Sequence, residues 1–313
     1  MTRTVVAQTY GGPEVLALQD IELPEPAEGQ VLVDVRAAGT NPFDYKVYSG
    51  EMGDDPARLP MPIGLEVAGV VAAVTPGATG YTGPLTVGDE VIVTNINGGY
   101  ADQVVANAAD VGHKPEGLSF EQAAGLILAG ATAWHLLTNT RVGTGDTVLI
   151  HGASGGVGLM AVQLAVARGA RVVATASPAR HDQLRKYGAE PVTYGDGLAD
   201  RVRAIGPVDA ALDLVGTDEA LDTSVALVAD RDRVATIAGF GRAGDLGIKA
   251  LGGGPGADPG TAVREAARAQ LAELASDGTL DVRVARTYPL SDVAQAHRDG
   301  IAGHAAGKLV LVP

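Results

Sequence analysis

Asp146-Thr-Val-Leu-Ile-His-Gly-Ala-Ser-Gly-Gly-Val-Gly158 is the stretch whose reading decides the fold. An apolar strand runs into a glycine-rich turn, and the turn opens directly into an apolar helix over residues 159–167. Gly155 and Gly158 take the second and third glycine positions of G-x-G-x-x-G, with Ala153 at the first and Ser154, Gly156 and Val157 between. The chain holds 43 glycines, so the pattern alone is weak and gains its meaning from the strand and helix around it. Without a side chain at Gly155, a pyrophosphate can reach the backbone, where the free N–H groups and positive dipole end of the helix face it. Gly158 lets the helix pack closely on the sheet.

A second strand follows at Arg171-Val-Val-Ala-Thr-Ala-Ser177, and the intervening helix has the length of a right-handed βαβ crossover. An NAD site places Asp or Glu at the end of this strand to accept from the ribose 2′-OH. Here the strand ends in Ser177 with Arg180 just beyond. A carboxylate would repel a 2′-phosphate, so its absence, with a hydroxyl and a guanidinium nearby, favours NADPH (NADP) as cofactor. A solvated place in the first turn of the next helix is the competing role for Arg180.

Composition narrows the chemistry. At 313 residues the chain is expected to hold two domains, and 46% apolar residues suffice for buried cores. No cysteine is present, which removes disulfides, thiol catalysis and thiolate-bound zinc. A formal net charge of −14, with Lys and Arg scattered, argues against nucleic acid as a partner. The first residues carry no apolar signal region and no apolar run is long enough to span a bilayer, so a cytoplasmic protein without membrane partners is expected.

Up to about residue 120, short strands (4–9, 16–21, 30–38, 67–74, 90–94 and 103–106) alternate with Gly, Pro and Asp clusters, the pattern of a barrel-like β domain. Ser119 then caps an Ala- and Leu-rich helix to about Leu137. Strands expected at 147–151, 171–176, 191–193, 210–215, 233–238 and 248–251 alternate with helices starting near Gly156, Ala179, Leu198, Asp218 and Gly260. That alternation predicts an α/β, doubly wound Rossmann domain with a parallel sheet.

Several motifs then line up: Ala37-Ala-Gly-Thr-Asn-Pro-Phe-Asp44, Gly64-Leu-Glu-Val-Ala-Gly69, Gly99-Tyr-Ala-Asp-Gln-Val-Val105, the Ala153–Gly158 turn, and Ala296-His297 followed by Gly307-Lys308. Together they resemble the zinc-independent medium-chain dehydrogenase/reductases, closest to the quinone oxidoreductase (zeta-crystallin-like) branch. The resemblance implies a GroES-like β-barrel catalytic domain over residues 1–120 and 282–313 and a Rossmann NADPH-binding domain over 121–281. Zinc-dependent relatives carry Cys where this chain has Asn41 and His-Glu where it has Leu65-Glu66, so catalytic zinc is not expected. Without that Lewis acid, reduction of a conjugated acceptor suits the site better than alcohol oxidation, because delocalised charge needs only a neutral hydrogen-bond donor.

The same resemblance places Asn41 near the nicotinamide, with a turn role before Pro42 as its alternative. Tyr45 and Tyr48 are candidate proton donors, since an ordinary phenol with a pKa of about 10 stays protonated at neutral pH; a surface aromatic role competes for both. Asp44 is read as an orienting or capping group. Thr132 falls where a helix end meets the nicotinamide ribose, Tyr194 at the adenosine side, and Ala238-Gly239-Phe240 at the carboxyl end of the fifth strand, where cofactors sit. Lys308 matches a lysine near the cofactor, against the alternative of a solvated strand edge. His135, His151 and His297 lack metal or triad spacing and are read as structural. The resemblance further implies a homodimer paired through the short edge strand at 248–251. The expected activity is NADPH-dependent reduction of a quinone or another α,β-unsaturated carbonyl. Enoyl or 2-alkenal reduction, and a noncatalytic NADPH-binding sensor, stand as alternatives.

Overall fold

A computed structural model describes residues 1–303 and 305–313. Contacts divide the chain into two compact units. The first takes Met1–Leu128, Arg268–Gly278 and Val282–Pro313; the second takes Ala129–Ala267 and Thr279–Asp281. Compared with the ranges expected from sequence, the first unit also takes residues 121–128 and Arg268–Gly278.

The first unit is built on a seven-stranded sheet that runs in the order Val111–His113, Glu90–Val93, Val67–Val74, Gln30–Gly39, Lys308–Val312, Val284–Pro289, with Gln103–Asn107 also pairing with Gln30–Gly39. A three-stranded sheet of Leu16–Ile21, Thr2–Ala7 and Met61–Pro62 accompanies it. Along Gln30–Gly39 burial alternates at first, with Val31, Val33 and Val35 inward, because successive side chains on a strand face opposite sides. The closing strand Lys308–Val312 runs antiparallel to Gln30–Gly39, with Val310 opposite Gly39 and Leu311 opposite Ala38.

In the second unit a six-stranded parallel sheet follows the order Ala189–Val192, Arg171–Thr175, Thr147–His151, Ala210–Asp213, Val234–Thr236, Lys249–Ala250. In chain order this is 3-2-1-4-5-6, the doubly wound arrangement in which the strand order reverses between the first and fourth strands. Ala210–Asp213 is buried throughout, as expected for a strand covered on both faces. The helix Gly156–Ala167 is buried from Gly158 to Ala165, so it packs inside the unit rather than along its surface.

The structure departs from the expected elements at identifiable places. The single helix expected from Ser119 to Leu137 is two, Phe120–Ala123 and Ile127–Asn139. Gly125 lies at the break, where a Cβ would stand 3.0 Å from Lys308 Cγ. The third strand of the parallel sheet is Ala189–Val192 rather than 191–193, and the helix expected near Ala179 starts at His181 after a 3-10 turn, Pro178–Arg180. Helices Pro42–Tyr48, Phe240–Leu246 and Val293–Ile301 add to the expected set; each is short and lacks the long apolar periodicity that would mark it.

Candidate functional site

In the second unit, the residues singled out from sequence collect at the carboxyl ends of the parallel strands. The Ala153–Gly158 turn follows the first strand, Ser177 and Arg180 the second, Tyr194 the third, and Ala238–Phe240 the fifth. Gly155 is the N-cap of Gly156–Ala167, in extended conformation. A Cβ there would meet only the Gly152 carbonyl oxygen, at 3.5 Å, so the space beside this backbone is open to a ligand. At Gly158 the reverse holds: a Cβ would lie 2.3 Å from the Gly152 oxygen and 2.7 Å from the Ala153 carbonyl carbon. The two glycines therefore answer different demands, one for access and one for packing. The first-turn N–H groups of this helix have no carbonyl partner within it, and no acidic side chain stands in that turn to take them up.

Ser177 precedes and Arg180 ends the 3-10 turn Pro178–Arg180, and Arg180 in turn precedes the helix His181–Lys186, so hydroxyl and guanidinium leave the second strand within one turn. Tyr194 is 56% exposed and so stands outside the core. Thr132 is buried on Ile127–Asn139 and its hydroxyl accepts from Arg264 Nη2 at 2.7 Å. Burial lowers the Arg264 guanidinium below its ordinary range.

The first unit gathers another set around the short helix Pro42–Tyr48. Asn41 and Lys308 are both buried. Lys308 Nζ donates to Asn41 Oδ1 (2.5 Å), Thr40 O (2.8 Å) and Glu66 Oε1 (3.0 Å). These three bonds use every ammonium proton. The Asn41 amide donates to Glu66 Oε1 (3.1 Å) and Gly39 O (3.3 Å), while the Leu128 N–H donates to Glu66 Oε2 (3.0 Å). Lys308 is thus the countercharge of a fully buried carboxylate, which excludes the solvated strand-edge alternative, and the bonded amide of Asn41 is more than a turn residue.

A second chain of hydrogen bonds runs through Tyr48, His297, Tyr100 and Asp44. Tyr100 donates to Asp44 Oδ2 (2.7 Å), its oxygen meets His297 Nε2 (3.1 Å), and His297 Nδ1 meets the Tyr48 hydroxyl (2.9 Å). With Tyr100 committed as donor, the network assigns the proton to Nε2 and leaves Nδ1 to accept from Tyr48. Burial holds His297 neutral, with its pKa pushed down to about 4. The candidacy of Tyr48 as a proton donor is corrected here: it is 1% exposed and its hydroxyl is engaged inside the unit. Tyr45 is half-buried and packs edge-on to His297 at 5.4 Å between ring centroids. Burial raises its pKa, so the phenol keeps its proton across the neutral range.

Asp44 accepts the Asn41 N–H at 2.7 Å, the capping role expected of it. It also departs from that reading. Its Oδ1 has no partner among the described residues, and burial pushes its pKa up to about 7 from 3.8, opposed by the bonds from Tyr100 and Asn41 and by Lys308, and aided by Glu66. The native protein then holds a proton that the unfolded chain releases between these values, so stability falls as pH rises through that window, by at most about 1.4 kcal/mol per pH unit. Asp44→Asn is expected to flatten that slope. Urea midpoints from pH 4 to 8.5 measure it, and parallel curves for the two proteins would refute the assignment.

Sequence reasoning missed Tyr100, Asp213, Thr236 and Arg264, and took His297 for an isolated structural histidine. The one available signal was the pairing of Gly99-Tyr100 and Ala296-His297 within the quoted motifs.

Comparisons with known proteins bear on this geometry. Residues 27–142 match the model of the alcohol dehydrogenase GroES-like domain, and residues 181–311 match that of a zinc-binding dehydrogenase. The quinone oxidoreductase of Pseudomonas aeruginosa is 33% identical over 337 residues, covering 100% of both chains. The chain belongs to the quinone oxidoreductase family. Among solved members of this family, the Escherichia coli quinone oxidoreductase in complex with NADPH is 28% identical at a TM-score of 0.86, covering 100% of each chain. A mycobacterial protein complexed with NADPH is 31% identical at a TM-score of 0.85, again over 100% of each. As in those quinone oxidoreductases, a GroES-like part is joined to a Rossmann-like part with a parallel sheet.

Proposed function

We propose that this chain is an NADPH-dependent reductase that passes a hydride to quinones or other conjugated carbonyl acceptors without a catalytic metal. The observation that carries the reading is the Gly155–Gly158 turn: open beside Gly155, closed at Gly158, and set at the carboxyl edge of a 3-2-1-4-5-6 sheet. Ala153, Ser154, Gly155, Gly156, Val157 and Gly158 would hold the pyrophosphate, with N–H groups at the start of a helix donating to it. Ser177 and Arg180 would receive the 2′-phosphate, Tyr194 would face the adenosine, and Thr132 and Ala238–Phe240 would border the nicotinamide end. Bound NADPH would supply the hydride. The NADPH-bound relatives support this choice of cofactor.

Zinc does not fit the residues present. Oxygen atoms of Asn41 and Glu66 already surround the Lys308 ammonium at 2.5–3.0 Å, so a metal would have to compete with a cation built into the chain for them. Leu65 offers no ligand atom. Among the described residues, no three His, Cys, Asp or Glu side chains are arranged to hold a metal. Substrate activation then falls to hydrogen-bond donors. Tyr45, protonated and half-buried, is the donor we assign to the acceptor's oxygen, where delocalised negative charge develops. Asn41 and Lys308, engaged with Glu66, would position this region.

NADPH oxidation measured against a panel of quinones and 2-enals tests the substrate class. Faster turnover of enals would move the assignment to enal reduction, and tight NADPH binding without turnover of any acceptor would make the protein a sensor. Arg180→Ala is expected to raise the KM for NADPH about tenfold, the loss of one charge-assisted phosphate contact, and to leave that for NADH unchanged. A wild-type protein that binds NADH more tightly than NADPH would overturn the cofactor choice. One edge strand of the parallel sheet is the two-residue strand Lys249–Ala250, inside the expected 248–251 segment, and a second copy pairing there would give a homodimer. A monomeric mass by light scattering at micromolar concentration would exclude it. Among the described residues, no helix is long and apolar enough to cross a membrane.

A further inference from the structure

Asp213 ends the fourth parallel strand, is fully buried, and lies opposite His151 on one side and Thr236 on the other. Its Oδ1 accepts the N–H groups of Val215 (3.1 Å) and Gly216 (3.0 Å), and Gly216 N–H also reaches Oδ2 at 3.2 Å. Thr236 Oγ1 donates to Oδ2 at 2.6 Å and in turn accepts the N–H groups of Ala238 (3.0 Å) and Gly239 (2.7 Å). One carboxylate and one hydroxyl thus hold two loops by four backbone N–H groups. The loops also touch. Gly216 has φ +74°, and a Cβ there would lie 2.9 Å from the Ala238 carbonyl carbon and 3.0 Å from Gly239 N. A Cβ on Gly239 would lie 2.8 Å from Leu221 Cδ1.

Charge accounts for the choice of residue. A carboxylate only accepts, so it can face several N–H groups and a hydroxyl at once, and bonds to an ionised acceptor are the stronger kind. His151 beside it stays neutral, pushed down to about 4 by burial against the pull of Asp213, so the carboxylate has no cation competing with the loops. The pair sits beside the reversal of strand order, the place where doubly wound sheets take their ligands.

We propose that Asp213 and Thr236 are positioning residues for cofactor binding, fixing the 215–216 and 238–240 loops at the separation a bound dinucleotide requires. The inference rests on the NADPH reading above. Neither side chain needs to touch the cofactor; each acts through the main chain it holds.

Thr236→Val keeps the shape of the side chain and leaves the Ala238 and Gly239 N–H groups without their acceptor. It is expected to raise the NADPH Kd about tenfold or more, while kcat at saturating NADPH stays within about twofold. Thr236→Ser is expected to restore wild-type binding. Asp213→Asn presents an NH₂ group where either Thr236 or the loop N–H groups need an acceptor, and is expected to weaken binding further. Val234→Ala, in the core of the same sheet, controls for stability: it should lower the melting temperature and leave the Kd unchanged. Should Thr236→Val bind NADPH as tightly as wild type, or should Val234→Ala weaken binding as much at equal loss of stability, the proposal is overturned. Failure of the wild-type protein to bind NADPH is a separate outcome and removes the cofactor reading itself.

Discussion

Lys308→Met is expected to destabilise the protein by about 3–5 kcal/mol, the cost of leaving one partner of a buried ion pair alone. Glu66 has no exposed surface, and without the ammonium its Oε1 retains only the Asn41 amide. Thermal or urea unfolding measures the loss. The companion variant Lys308→Met/Glu66→Leu removes both charges and is expected to recover most of it, because an apolar pair avoids the desolvation that the ion pair must offset. Equal destabilisation in the single and double variants would show that packing of the lysine stem, not its charge, holds the site.

Gly158→Ala carries the other large effect. One methyl group would have to fit 2.3 Å from the Gly152 oxygen and 2.7 Å from the Ala153 backbone, and no flexible side chain is there to give way. The first strand and its helix must separate, so both melting temperature and NADPH affinity are expected to fall, by about 2 kcal/mol or more in stability on the scale of overpacked cores. Gly155→Ala makes the contrast. It meets open space in the protein, so the melting temperature should hold while the NADPH Kd rises about tenfold, with the methyl standing where a phosphate would approach. Isothermal titration with NADPH, run beside thermal melts, separates the two. If Gly155→Ala bound NADPH normally, the pyrophosphate would have to lie elsewhere.

The contrast between these glycines also shows what the sequence makes legible. A strand, a turn and a helix within thirteen residues express local demands, so Gly158 could be assigned to close packing and is found there. The alternation after residue 146 likewise carried the parallel sheet, because each strand and crossover helix has its own apolar pattern. The first unit's polar network had no such signature. Lys308 meets Glu66 across 242 positions and Tyr48 meets His297 across 249, separations at which spacing in the sequence conveys nothing about proximity. Tyr48 reads as a candidate acid from its chemistry alone, and only the fold shows its hydroxyl already taken. Asp44 was legible as a cap because its bond to Asn41 spans three residues. Its raised pKa was not, since burial comes from elements distant in the chain.

The pairing of strand Lys308–Val312 sets an order on biosynthesis. All six strands of the parallel sheet have been made by residue 250, whereas Ala38 and Gly39, beyond the part of Gln30–Gly39 that pairs with Gln103–Asn107, must wait for residues 308–312. A nascent first unit therefore carries an unpaired strand end at Ala38–Gly39, and in Glu66 a carboxylate without its cation, through the synthesis of the second unit's parallel sheet. Strand edges left open are the surfaces on which chains associate wrongly. Strand Lys308–Val312 thus both joins Val284–Pro289 to the sheet and brings the cation that Glu66 needs.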